Sequence, residues 1–396
     1  MSVRYGRLRM LVCAALALGG ALAGDVAIAD NWTVAAYICG DGDLARVAER
    51  YAEGLRVAAA ANGWALRSQV DLPDGVTRQA VGSEGSETEW WRRGQINMCR
   101  REAVEDFLRW VRGRAVGDRL AFVVFGHGVA ASGRTTERDR RYEAQGLALD
   151  ASAGGDVLTP QELARAVAGA FGDAERPLDI LVADCCYGAS VEAAWSLRDA
   201  AEVMVGWPGR APVAGVQWAG VQVRPVEGLS EAETLAMQCV ELPRDGECKA
   251  AAVRLAALDG AIGALKDLSA ALSGDMRSWC PGVTAARSQT QRFGPNGELC
   301  EVQGLCEALA NGDGRALEEA ERAAERLSAM GVGGLGCGLT VLMPMALEDV
   351  PAGYAGQAEG FGAASGWGRL IECYCGRLEQ LLGRVTDNPE QEGGAG

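Results

Sequence analysis

Apolar residues along the first half of this chain fall into short unbroken runs separated by periodic ones. Residues 33–38 (Thr-Val-Ala-Ala-Tyr-Ile) predict a buried strand, the turn Gly40-Asp41-Gly42 follows, and an amphipathic pattern predicts a helix over 43–61. A second strand is expected over 65–70. The polar, glycine-containing stretch 83–93 reads as a loop despite Trp90 and Trp91. Val104, Phe107, Leu108 and Val111 share one helical face within 101–111. An apolar run at 119–125 ends in Gly126-His127-Gly128, and the Arg-rich stretch 131–148 reads as an exposed loop. Thr159-Pro160-Gln161-Glu162 has the form of a capping box with proline in the first turn, so a helix starts there. Residues 178–183 and 202–206 predict further strands on either side of a helix over 189–197.

Strand and helix thus alternate from 33 to 206, which calls for an α/β fold with a mostly parallel sheet and helices on both faces. Beyond that point the Ala-rich stretches 250–272 and 306–330 read as helical, and 339–343 is expected to return a strand to the sheet. The Gly/Glu-rich tail over 385–396 is expected to be disordered. At the other end, Arg4, Arg7 and Arg9 precede an apolar run over 10–22 and the small residues Ala27 and Ala29. That is the layout of a cleavable secretory signal over 1–29. The run is too short for an anchor, and no later stretch reaches the roughly 18 apolar residues of a spanning helix. The mature chain is therefore expected to be secreted or periplasmic, with no membrane association once the signal is removed.

Charge narrows the possible functions. The formal net charge of -15 excludes a nucleic-acid binder, which needs a basic face, and suits a soluble protein that attracts cationic substrates. Twelve of the 13 cysteines follow the signal, and an exported chain can oxidise them. Cys239/Cys248, Cys300/Cys306 and Cys373/Cys375 are possible pairs, but spacing alone assigns no bridge.

Two features carry chemistry. His127 is the only histidine, so any step needing imidazole at neutral pH must use it. Cys185 and Cys186 lie just past a strand and open onto a helix, where the helix dipole would favour a thiolate. Each has a bland reading, as a turn histidine and as one disulfide member beside a buried apolar cysteine. Taken together, a His and a Cys at the carboxyl ends of two strands share one rim of the sheet, where open α/β folds place their chemistry.

The segments in which these residues sit resemble the clostripain-type cysteine peptidases, relatives of caspases, legumain and gingipains. Tyr37-Ile38-Cys39-Gly40-Asp41-Gly42-Asp43-Leu44 is similar to the family's opening motif and Gly94-Gln95-Ile96-Asn97-Met98 to its second. Gly126-His127-Gly128 matches the histidine motif. Asp184-Cys185-Cys186-Tyr187 with Ala189-Ser190-Val191-Glu192 resembles the cysteine motif, and Gly338-Leu339-Thr340 with Pro344 a late strand. His127 precedes Cys186 by 59 residues, similar to the roughly 50 of caspases.

The resemblance implies a caspase-like catalytic core over 30–245, a helix-rich region over 246–384, and hydrolysis of protein or peptide substrates through Cys186 as nucleophile and His127 as general base or proton shuttle. It further implies an oxyanion hole at Gly128 and Cys186. Asp184 would line a pocket for Arg or Lys, walled by Trp207, although Asp184 also fits a helix N-cap. Acidic residues that the family carries after 206 are replaced here by Trp207-Pro208-Gly209-Arg210. Self-cleavage within 131–148, with Arg141 the first choice, would release a blocked site; a solvated charged loop is the alternative. No cofactor is required, but some relatives depend on calcium, for which Asp41/Asp43 and Asp150/Asp156 offer oxygen ligands. A binding or scaffolding protein on the same fold, and a thiol-dependent hydrolase or transpeptidase with another substrate, are the competing functions.

Overall fold

Eight consecutive residues of the first strand, β1 (Trp32–Cys39), are buried, as a strand covered on both faces requires. The architecture is that of a computed structural model, which describes residues 32–83, 87–130, 145–172, 174, 176–242, 248–312, 318–356 and 360–386. Residues 1–29, Arg141 with the rest of 131–144, and the tail beyond 386 lie outside the described residues.

Helix α1 (Ala45–Asn62) follows β1 and leads to β2 (Ala65–Leu72), which pairs with β1 in parallel. An antiparallel ribbon then extends the sheet through β3 (Gly75–Val81) and β4 (Glu87–Arg93). The expectation of a loop over 83–93 is corrected here. A strand at the end of a sheet takes its register from its neighbour's backbone and needs no apolar run of its own.

Helix α2 (Arg101–Arg112) returns the chain to β5 (Arg119–Phe125), parallel to β1 on its other side. The short ribbon β6 (Ala148–Asp150) and β7 (Asp156–Leu158) precedes α3 (Pro160–Phe171), whose capping box at Thr159 and Glu162 forms as the sequence predicts. Strand β8 (Leu178–Asp184), helix α4 (Val191–Leu197) and β9 (Ala201–Gly206) complete the parallel part.

After α5 (Glu231–Glu241), residues 251–254 form β10 (Ala251–Arg254), antiparallel to β9, where a helix over 250–272 was expected. The helix begins only at α6 (Leu258–Gly274). Small alanines fit a covered edge strand as readily as a helix, and pairing with β9 decides between them. Helix α7 (Met276–Gln289), strands β11 (Arg292–Phe293) and β12 (Leu299–Glu301), and helices α8 (Val302–Ala310) and α9 (Glu318–Met330) follow. Strand β13 (Thr340–Leu342) exists, but it pairs with β12 in a separate three-stranded sheet instead of returning to the main one. Helices α10 (Phe361–Ala364) and α11 (Trp367–Thr386) end the described chain, α11 running past residue 384.

The main sheet has the order β10-β9-β8-β5-β1-β2-β3-β4. Alternate residues of β1 feed opposite faces, as the two-residue repeat of a strand demands. Ala35, Tyr37 and Cys39 pack with α2, α3 and the C-terminal helices, whereas Val34, Ala36 and Ile38 pack with α1 and α5. Phe122 of β5 belongs to the first face and lies near Phe107, ring centroids 6.3 Å apart. We expect Phe122→Ala to cost about 3–5 kcal/mol, the usual range for emptying an aromatic site in a packed core. Chemical denaturation of the purified protein would measure it.

Candidate active site

Strands β1, β2, β5, β8 and β9 run parallel, so their carboxyl ends open onto one rim. In the β5/β8 register Phe125 lies opposite Asp184. His127 and Cys186 each follow that pair by two residues, on adjacent turns. The turns touch: a Cβ at Gly128 would lie 1.8 Å from the Cys186 carbonyl oxygen and 2.7 Å from its nitrogen. Only glycine permits that approach. His127 and Gly128, and Cys186 with them, are partly exposed, whereas Cys185 is buried and its thiol is pushed well up by desolvation. Among the described residues all twelve cysteines are free thiols. Exposure therefore separates Cys186 from its neighbour.

The turn that carries Cys186 is held from three sides. Tyr187 has a positive φ of 58°, which a side chain other than glycine adopts only when its surroundings enforce it. Its N–H donates to Gly209 O at 2.8 Å, and Gln145 Nε2 donates to its carbonyl. Gln145 Oε1 accepts from Ser190 Oγ at 2.6 Å. Ala189 N–H donates to Trp207 O at 3.0 Å. Ser190, whose Oγ accepts from Ala193 N, is the N-cap of α4. Cys186 therefore precedes the helix by a whole turn of chain, and the expectation that the helix dipole lowers its pKa is corrected. Burial pushes the thiol up, opposed by the backbone of Ala211 and the charge of Arg210.

His127 has a partner that sequence reading missed. Its Nε2 lies 2.8 Å from Asp43 Oδ1, at the surface, and this bond holds the Asp43 carboxyl below its ordinary range. When Nε2 carries the proton toward Asp43, Nδ1 of the neutral ring is the atom that can accept one. The signal lay in the opening motif, where Asp43 was read only as a cation ligand.

Asp184 and Trp207 depart from expectation. Asp184 is 1 % exposed, and its carboxylate accepts from Tyr51 Oη at 2.6 Å, Trp207 Nε1 at 2.8 Å and Val216 N at 2.7 Å. Tyr51 Oη in turn accepts from Trp218 Nε1 at 2.7 Å. Desolvation still drives Asp184 upward against those donors. Trp207 is buried with it. Rather than lining an open pocket, both residues lock the segment 207–218 onto α1 and β8. The exposed charge next to the thiol is Arg210, which also hydrogen-bonds the Tyr187 side chain. On the other side of Tyr187 a cleft opens between Gln145, Glu192, Leu342, Tyr354 and Phe361.

The expected cation ligands regroup as well. Asp43 is engaged by His127, and Asp156 accepts from Asn97 Nδ2 at 2.7 Å. Asp41, Asp71 and Asp150 instead bring carboxylate oxygens within 4.8 Å of one another, all three buried. Neither oxygen of Asp71 has a hydrogen-bond partner. Burial, then Asp150 and Asp41, push its pKa up to about 7. An all-oxygen donor set with an orphaned buried carboxylate fits a hard divalent cation such as calcium.

Residues 80–272 match the family model described as the clostripain family. No curated protein matches the chain. Among solved structures, a secreted C11 cysteine protease from Bacteroides thetaiotaomicron bound to an irreversible peptide inhibitor superposes with a TM-score of 0.64 at 14% identity. The match covers 85% of this chain and 99% of that one. An inactive zymogen C11 protease from Parabacteroides distasonis gives 0.57 at 14% identity, covering 87% of this chain and 97% of that one. Both share the fold of this chain, whose main sheet is mixed, eight-stranded and flanked by helices. Among the described residues no helix is long and apolar enough to cross a membrane.

Because burial favours the neutral thiol, the thiolate fraction of Cys186 should be small at neutral pH and grow as pH rises. We expect the rate of iodoacetamide alkylation at Cys186 to keep climbing beyond the range of a free cysteine, near ~8.5. Mass spectrometry of the labelled peptide across pH would follow it. A rate already flat below neutrality would show a thiolate formed in advance by His127.

Proposed function

We propose that this chain, which belongs to the clostripain family of cysteine peptidases, cuts peptide bonds with Cys186 as nucleophile and His127 as proton carrier. The observation that supports the pairing most directly is the contact of the two turns, Gly128 against the Cys186 peptide. As the sulfur adds to the scissile carbonyl carbon, the Cys186 thiol proton passes to His127, and the N–H groups of Gly128 and Cys186 are the candidate donors to the oxyanion. As the C–N bond breaks, His127 gives its proton to the leaving amine. Water then attacks the thioester, His127 takes its proton, and the acid leaves as the thiol reforms. Asp43 acts by orienting the imidazole. The cleft beyond Tyr187 suits a substrate side chain next to the cut bond.

Preference for Arg or Lys, which the family resemblance implies, would need an accessible carboxylate, and Asp184 is committed to three donors. Arg210 adds a positive charge beside the thiol. Our reading is therefore that neutral or acidic side chains before the bond are cut faster than basic ones. Self-cleavage after Arg141 asks for the opposite preference, so the two readings exclude each other. Export through a signal at 1–29 is consistent with peptide substrates outside the cytoplasm.

In a panel of peptides differing at the residue before the bond, we expect Cys186→Ala to abolish turnover and His127→Ala to lower it by about 10²–10⁴, the usual worth of a positioned acid–base group. Asp43→Asn should cause a smaller loss, in kcat more than in KM. Turnover that survives Cys186→Ala would refute the mechanism.

Arg210→Glu should shift the ratio of Arg to Glu substrates by about tenfold or more toward Arg, since each ~1.4 kcal/mol of differential binding is tenfold. An unchanged ratio would remove Arg210 from specificity. N-terminal sequencing of active protein decides the Arg141 cut: a new terminus at residue 142 supports self-cleavage and basic preference, and one uncut active chain excludes the cut.

A further inference from the structure

The cleft beyond Tyr187 joins the catalytic turns at one end and the C-terminal region at the other. Ala130, three residues after His127, and Tyr187, next to Cys186, both border it. Its far walls are Leu299 and Leu342 of the small sheet, Tyr354, and Phe361 at the start of α10. Leu299, Leu342 and Phe361 are otherwise buried, so what they turn toward the cleft is apolar surface in a preformed hollow. Apolar walls with a few fixed polar groups are the usual make-up of a ligand site.

Glu192 holds two of these walls in place. Its Oε1 accepts from Leu342 N–H at 2.9 Å and from Tyr354 Oη at 2.7 Å. Its other oxygen is buried, so the carboxyl offers an incoming group no free acceptor. Desolvation also pushes the Glu192 carboxyl upward, away from its charged form. A charged side chain entering here would lose its hydration with no ion pair in return, whereas an apolar one would leave water at no such cost.

The direction of the reaction decides which substrate residue reaches the cleft. The leaving amine takes its proton from His127, so the residue after the cut bond lies on the histidine side of the thiol. Ala130 leads from that turn into the cleft, and paired backbone bonds between Val129 and Gly146, at 2.9 and 3.0 Å, fix Ala130 and Gln145 beside it. We propose that this cleft is the subsite for the residue that follows the cut bond, and that it takes a large apolar side chain such as leucine or phenylalanine. The proposal rests on the peptidase reading above and adds to it a second specificity, across Tyr187 from Arg210.

Peptides that differ only in Gly, Leu, Phe, Asp or Lys after the cut bond should be compared on the unaltered protein, on Cys186→Ala and on Ala352→Trp, with product masses locating the cut. Ala352 is exposed and borders the cleft, so tryptophan there would fill it from the solvent side. We expect kcat/KM for Leu and Phe to exceed that for Gly by about tenfold or more, the usual worth of an aliphatic group in a specificity pocket, with Asp and Lys no better than Gly. Ala352→Trp should abolish the advantage of Leu over Gly. If Ala352→Trp does not fold, Gln161→Trp on the α3 border of the cleft serves for the same ratio. Equal rates on Leu and Gly in the unaltered protein would overturn the subsite, as would a Leu preference that the tryptophan leaves intact. A preference for Lys would make Glu192 the determinant and overturn the apolar class. Turnover that survives Cys186→Ala refutes the peptidase reading and the subsite with it, whereas turnover that needs Cys186 but ignores the residue after the bond refutes the subsite alone.

Discussion

A close backbone approach, Gly128 against the Cys186 peptide, organises this molecule's chemistry. Neighbouring parallel strands end side by side, but their loops ordinarily diverge to make room for side chains. Here the histidine is flanked by two glycines, and the second leaves its turn thin enough to lie on the cysteine turn. His127 and Cys186 are thereby carried on touching turns that follow adjacent strand ends. The opposite turn complies through Tyr187, held at positive φ by Gly209 and Gln145.

Around that contact, buried carboxylates do the positioning. Asp184 draws Tyr51, Trp207 and the Val216 peptide inward, and through Tyr51 also Trp218. Such a buried acid is worth most as an organiser when every donor around it is used, because losing one partner strands the rest. The consequence reaches specificity. In the specificity proposed above, a carboxylate buried at 1 % exposure behind three donors is out of reach of an incoming guanidinium, and Arg210 is the exposed charge near the thiol. Asp71 is the contrasting case, buried but without donors at either oxygen, so that desolvation and the neighbouring Asp150 and Asp41 favour its neutral form.

Glu192 joins the two halves of the molecule in a related way. Its Oε1 accepts from Leu342 N–H at 2.9 Å and from Tyr354 Oη at 2.7 Å, while Thr340 N–H donates to Ala189 O at 3.0 Å. The segment that follows Cys186 is thus bonded to the small C-terminal sheet. That sheet stands apart from the main one, yet it borders the cleft beyond Tyr187. The C-terminal helices share the core of the main sheet's first face.

What the sequence determined by itself was the part in which local pattern and local structure agree. Buried parallel strands need apolar residues on both faces, so 33–38, 119–125 and 178–183 were legible, as was the capping box at Thr159, whose bonds span three residues. The order of the motifs, with His127 and Cys186 after successive parallel strands, was legible for the same reason. Partners distant in sequence were not. Asp43 and His127 lie 84 residues apart, Asp71 lies beside Asp41 and Asp150 of other segments, and the donors that close Asp184 come from residues 51, 207 and 216. The edge strands β4 and β10 and the displaced β13 belong with these, since a strand at an edge is specified by the backbone it pairs with. Local spacing records the periodicity of one element, whereas burial and charge pairing depend on which elements meet, and only the folded chain decides that.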